Sequence, residues 1–467
     1  MNIESLESAA NNGSVSTVFL QASGDDSDRC VEMQAALDAP TTGVLYLDSG
    51  VFWIGRTINV PAGKTLSLDP GATIKALDTF AIIDGKNHGV LLTGDRAAII
   101  GGTIDMNKRG LGGGINNRYN GITVLNGAQK CIRRDILVRN CTGYGVYDSG
   151  DESFSRPPSS SNYNVRTENC EIHFEPQGAD GTCYIDCAAS DGDGDVSVAS
   201  YFHPLVGSKN ITAIRMKAKG KAPAGVEMTP NIAALENITL AFCDFELTTG
   251  GVVLVSTAGQ NFPNLGFKVI GGSYIGASGS AGLNNTFGII SAASFRGAGG
   301  ITQTGGEIFY EGCSSTSAQP NGGSSAAIAI VVNGGGVANW NGGSLLATGG
   351  SAQLPRGQGL IRLSGNVKTT PASPAAPVIR YEQYGRATMV ADGGNSFANL
   401  FLSFTQTDPT KLHLDYSIRR ISDGYQPTGE LKIHWRIMGG GYLRLYVTGM
   451  NLAGADYNVT FRVVEYE

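Results

Sequence analysis

The chain has 467 residues, with 66 glycines, an ordinary 17 prolines and a 41% hydrophobic fraction, a composition that excludes collagen, coiled coil and disorder and fits turn-dense β structure. A net charge of −6, only 16% charged residues and no basic stripe exclude the electrostatic footprint of a nucleic-acid partner. No apolar run is long enough to span a membrane, and MNIESLESAANNG has no basic region ahead of an apolar one, so synthesis in a cytoplasm is expected.

Residues 1–17 are small and polar and read as an arm. Ser27 or Asp28 then caps a predicted helix over 28–39, in which Cys30, Met33 and Leu37 recur at i, i+3 and i+7 and Pro40 closes the run. From GVLYLDSGVFWIGRTINVPAGKTLSLDPGATIKAL onward, short strands alternate with Gly-, Pro- or Asp-containing turns. VLLTGDRAAIIGGTIDM, LGFKVIGGSYIG, ITQTGGEIFYEG and ANWNGGSLLATGG share a strand, Gly-Gly, strand signature. A second register, in DILVRNCTGYGVYDS, YNVRTENCEIHFEPQ, NITAIRMKAKGKAPAGVEM and NITLAFCDFELTTGGVVLV, repeats every 24 to 29 residues. Such a coil buries its apolar face only by stacking on neighbours, which predicts an all-β parallel β-helix over 18–368.

Three prolines in TTPASPAAP open a linker over 369–384, and period-two alternation in LKIHWRI, YLRLYV and NVTFRVVEYE predicts an antiparallel β-sandwich over 385–467, for trimerisation or carbohydrate binding. The eight cysteines lack paired zinc spacing, since Cys183 and Cys187 have no matching second half. They are read as free thiols, and neither metal nor cofactor is called for.

The stretch GDDSDRCVEMQAALDA followed by GVLYLDSGVFWIGRTINVPAGKTLSLDPGATI resembles the opening of the pectate-lyase-like right-handed β-helix superfamily, with Asp48-Ser49 where the family usually has Pro-Ala. Within it, a β-helix followed by a sandwich looks most like phage tailspikes and capsule depolymerases. The resemblance implies a homotrimer on a virion tail that acts at the bacterial surface on capsular polysaccharide or lipopolysaccharide O-antigen. The family's N-terminal virion-binding domain is missing, so attachment to a tail or baseplate is expected through another anchor.

Aligned coils place Asp148, Glu175, His203, Glu227 and Val253 in one column at intervals of 27, 28, 24 and 26 residues, with FEP around Glu175 echoed by FHP around His203. Ionisable groups at one coil position suit glycoside hydrolysis, which needs a protonated carboxyl and an ionised one. Neighbouring coils would put Asp148 and Glu175 about 5 Å apart, near a retaining pair; Glu175 and Glu227 would be roughly 10 Å apart, nearer an inverting one. Solvated rung ends are the competing reading of these carboxylates.

Asp191-Gly-Asp-Gly-Asp195 fails the calcium-loop pattern, because Val196 stands where glycine is required, and reads as a solvated turn. Asp186, Asp191 or Asp193 nevertheless remain candidates for the second carboxylate. A lyase alternative would use His203 or Tyr201 as base with Arg215 and Lys217 neutralising a uronate carboxylate. Tyr144, Tyr147, Phe154, Tyr163 and Trp340 are candidate sugar-stacking faces, though aromatic residues in coils more often form core. A non-catalytic polysaccharide-binding fibre is the second alternative, disfavoured by the clustered carboxylates.

Overall fold

The computed structural model describes residues 16–370, apart from 83–86, 109–117, 126, 151–155, 193–197, 250, 257–261, 319–326, 349–351, 354–358 and 366, and the strand backbones between 379 and 466. Asp193 and Phe154 lie outside the described residues. The chain divides into two compact units, Met1–Pro371 and Ala372–Glu467.

The first unit is a parallel β-helix. One column of strands, from Ser16–Leu20 to Leu360–Ser364, forms a 15-stranded parallel sheet, the first face. A 20-stranded sheet supplies the other two faces, because Leu137–Ser149, Arg166–Gln177, Ser273–Asn284 and Ser294–Thr304 are long enough to run round the corner between them. The second face holds the first half of each long strand and the third face the second half.

The period-two alternation of apolar residues creates this arrangement. Phe52, Ile74, Ile104 and Val138 pair in register on four successive rungs, and none has any exposed surface. Each such side chain contributes about 1.5–3 kcal/mol through burial, and only a neighbouring rung can supply it. Coils run from 20 residues (Phe295 to Ser315) to 34 (Ile104 to Val138), wider than the period expected. Insertions at corners leave the rungs aligned, so loop length is free while strand register is not.

The Gly-Gly signature marks corners. Gly101 and Gly102 have φ of +79° and +62°, and a Cβ on Gly102 would lie 2.7 Å from the Ala72 carbonyl oxygen. Gly271-Gly272 and Gly342-Gly343 occupy the same first-to-second corner, whereas Gly305-Gly306 turns from third face to first, so the four repeats are not equivalent.

The helix spans Cys30–Asp38 and covers the first coils with Cys30, Met33 and Leu37, all fully buried. Asp28 holds its entry: Oδ1 accepts from Cys30 N–H at 2.9 Å and from Gly55 N–H at 3.0 Å. All eight cysteines are unpaired, and only Cys183 among them is not fully buried.

The second unit contains two antiparallel sheets. Tyr457–Tyr466 pairs with Ile379–Thr388 on one side and Leu412–Arg420 on the other. Tyr442–Thr448 pairs with Asn395–Phe401 and Lys432–Met438. Its first strand starts at Ile379, inside the stretch read as linker.

Candidate functional site

On the third face the strand pairings run Thr123, Tyr147, Glu175 on successive rungs, and Glu227 continues to Val255. Phe174, Phe202 and Val226 pair in turn, which sets His203 between Glu175 and Glu227. The outward column is therefore Tyr147, Glu175, His203, Glu227, Val255. The register of Glu175 and His203 from FEP and FHP, and of Glu227 from GVEMT, matches these pairings; the two ends expected, Asp148 and Val253, do not.

Asp148 pairs with Pro176, not Glu175, and points inward with no exposed surface. The strand shifts register between Cys141 and Tyr144, removing one residue from the apparent period. A slip of one residue reverses every side chain. Inside the coil, Arg133 reaches across from the first face and its Nη2 donates to Asp148 Oδ1 at 2.7 Å, both side chains having no solvent contact. Ser160 and Thr182 hydroxyls donate to Asp148 Oδ2 at 2.9 and 3.1 Å. Val253 likewise faces inward, and Val255 takes the outward place.

Glu175 points outward yet is only 1% exposed, so neighbouring side chains cover it. His203 Nδ1 lies 3.2 Å from Glu175 Oε2, and His203 Nε2 lies 3.1 Å from Thr229 Oγ1. The Tyr144 phenol feels the Glu175 charge, and its ring stands against Tyr147 with centroids 4.5 Å apart. Arg118 Nη1 donates to Tyr144 Oη at 3.2 Å and its Nη2 to Glu171 Oε1 at 2.8 Å. Tyr147 donates to Gln177 Oε1 at 2.7 Å. Loss of water raises the Glu175 carboxyl above its ordinary range, against the opposing pull of the His203 bond and of the His203 and Arg118 charges. The burial of Tyr144 and Tyr147 pushes both phenols up, Tyr147 to about 12, so both stay protonated donors.

The other candidates lie apart from this cluster. Asp186 is half-exposed at the first-to-second corner and is clamped by Arg215, whose Nε donates to Asp186 Oδ1 at 2.6 Å. Lys217 projects from the second face, in register with Ala188 and Asp244. Asp191 holds a turn, accepting from Tyr201 Oη at 2.6 Å and Lys221 N–H at 2.5 Å. Tyr201 and Trp340 are core, Tyr201 beside His173 and Trp340 stacked on Tyr310 at 4.6 Å. The set named for the lyase is therefore split between faces and core. Among the described residues, no three His, Cys, Asp or Glu side chains are grouped to hold a metal ion.

Arg118, Glu171, Gln177 and Thr229 were missed. Gln177 and Thr229 follow Glu175 and Glu227 by two, so strand periodicity could have found them. Arg118 precedes the strand Asn120–Val124 and carries no sequence signal.

The first unit has the fold of phage tailspike proteins. The tailspike protein of E. coli bacteriophage HK620, solved in complex with pentasaccharide, aligns with a TM-score of 0.53 at 11% identity over 96% of this chain and 91% of that one. The N-terminal fragment of bacteriophage Phi29 gene product 12 aligns at 0.54 and 15% identity over 79% of this chain and 68% of that one. No family model matches the chain, and no curated protein matches it in sequence.

Proposed function

We propose that this chain is a tailspike depolymerase that hydrolyses glycosidic bonds within a bacterial surface polysaccharide, capsule or O-antigen, along its third face. The observation that carries this reading is Glu175: an outward carboxyl, 1% exposed, raised in pKa, on one column with a second carboxylate, Glu227. A raised carboxyl stays protonated where an ordinary one ionises, the requirement for a general acid on the leaving oxygen. Glu227, two rungs away and half-buried, is the second carboxylate. Two rungs amount to roughly 10 Å along the axis, close to the separation that leaves room for a water and inverts the anomeric centre. His203 orients Glu175, and Tyr147 with Gln177 lines the adjoining sugar position. The bound pentasaccharide of the HK620 tailspike supports a saccharide ligand for this fold.

The assembly proposed is a homotrimer carried on a phage tail and acting at the host surface. A β-elimination on a uronate is the second reading, favoured by Arg118 beside Tyr144, a cation and a phenol at the same flank. Incubation with purified capsular and O-antigen polysaccharides, followed by sizing of the products, tests the proposal. Shortened chains with saturated new ends are expected. Unsaturated ends would establish the lyase, and an uncut but bound polymer would establish a binding fibre.

A further inference from the structure

The first-to-second corner carries a groove that the Glu175 flank does not use. Its floor is one outward row of the second face, running in register from Thr103 through Arg166, Ala188, Lys217 and Asp244 to Ser273. With Leu137, that row covers seven rungs, about 30 Å along the axis. Three concave sections share residues end to end: Asn164 and Arg166 join the first to the second, and Lys217 and Asp244 join the second to the third. The middle section alone encloses about 590 Å³. Its length and direction suit a linear polymer rather than a compact ligand.

Two features say what kind of polymer. Arg166 and Lys217 are exposed, face the groove two rungs apart with only Ala188 between them, and form no ion pair among the described residues. Asp186 is paired with Arg215, and Asp244, in register with Lys217 on the next rung, accepts through Oδ1 from Ser273 N–H at 3.2 Å. The second feature is Phe242, on the corner wall. It is 59% exposed and holds φ at +54°, a conformation costly for a bulky side chain, with its ring over Gly271, where a Cβ would lie 2.8 Å from it. Asp135, Asn164, Asp186, Arg215 and Ala292 hold the same backbone at the equivalent corner positions, with φ between +50° and +56°. The backbone is a property of the corner; what sets Phe242 apart from the residues equivalent to it is the large apolar ring it presents to water beside the groove.

We propose that this corner groove is a second saccharide-binding site, separate from the Glu175 flank, which holds an extended acidic polysaccharide: Arg166 and Lys217 meet its carboxylates and Phe242 stacks on a sugar ring. The ring offers the flat apolar face that sugars pack against, and the spaced cations favour a repeating charge.

Affinity electrophoresis of the full chain in gels containing sodium polygalacturonate, with dextran as the neutral control, tests it. Retardation by polygalacturonate alone is expected, weakening with salt. In R166Q/K217Q the apparent affinity should fall about five- to tenfold, as two exposed charge contacts allow. F242N should bind more weakly while melting no lower than the parent, since asparagine accepts the backbone; a merely structural Phe242 would lower the melting temperature. E175Q should be retarded like the parent, so failure of the cleavage reading and failure of this one are separable. Absence of retardation, equal retardation in dextran, or variants that bind like the parent would overturn the proposal. So would a change in oligomeric mass in R166Q/K217Q, which would make the groove an interface between copies.

Discussion

Asp148 and Glu175 stand one residue out of register on neighbouring rungs, both almost without solvent, and their surroundings give them opposite chemistry. Asp148 faces the interior, where Arg133 and two hydroxyls satisfy it. Glu175 faces outward under a cover of histidine and tyrosine, with no arginine or lysine bonded to it among the described residues. A buried carboxylate with a buried guanidinium is a structural ion pair, whereas one covered but not neutralised is held ready to carry a proton. In a solenoid that choice turns on strand parity alone.

The largest expected effect breaks the outward side. Glu175→Gln should cut kcat for polysaccharide cleavage by about 10²- to 10⁴-fold, the usual weight of a general acid, with affinity for the polymer and oligomeric mass unchanged. The inward side breaks next: Asp148→Ala should cost about 3–5 kcal/mol in denaturant unfolding, because it strands the Arg133 charge. Replacing both partners, as R133M/D148L, should recover most of that loss, which would show that the pair acts as a unit.

A smaller effect sharpens the contrast through pH. The folded pKa of Glu175 lies above its unfolded value, so the folded state holds that proton more tightly. Ionisation therefore costs stability as pH rises from about 4.3, the free carboxyl value, through the raised folded value. Glu175→Gln should melt higher than the parent at neutral pH, and the gain should vanish in acid. The smallest effect is the control: Asp186→Asn, at a half-exposed pair with Arg215, should leave the denaturant midpoint nearly unmoved and cleavage unchanged.

The repeat and the capping helix were legible because alternation and coil similarity survive variable loops. Glu175 and His203 were legible because FEP and FHP are the same rung written twice, and Glu227 followed from aligning the next coil, GVEMT, on them. Asp148 was not: the shift between Cys141 and Tyr144 is a backbone irregularity with no residue signature, and it alone moved the aspartate indoors. Asp186, Arg215 and Lys217 were misplaced for a different reason. Asp186 was set beside Glu175, and Arg215 and Lys217 beside His203 and Tyr201, by their places along the chain, but a coil of three faces sends residues about ten positions apart in different directions. Trp340 and Tyr201 followed the common fate of coil aromatics and became core.

The most direct test of the central claim, that Glu175 donates the proton, is the pH dependence of kcat/KM for cleavage of a purified surface polysaccharide by the parent and by Glu175→Gln. The parent should lose rate as pH rises through the raised carboxyl pKa, and that limb should be absent from the residual activity of the variant. A variant that cleaves at a near-parental rate with the same limb would contradict the assignment.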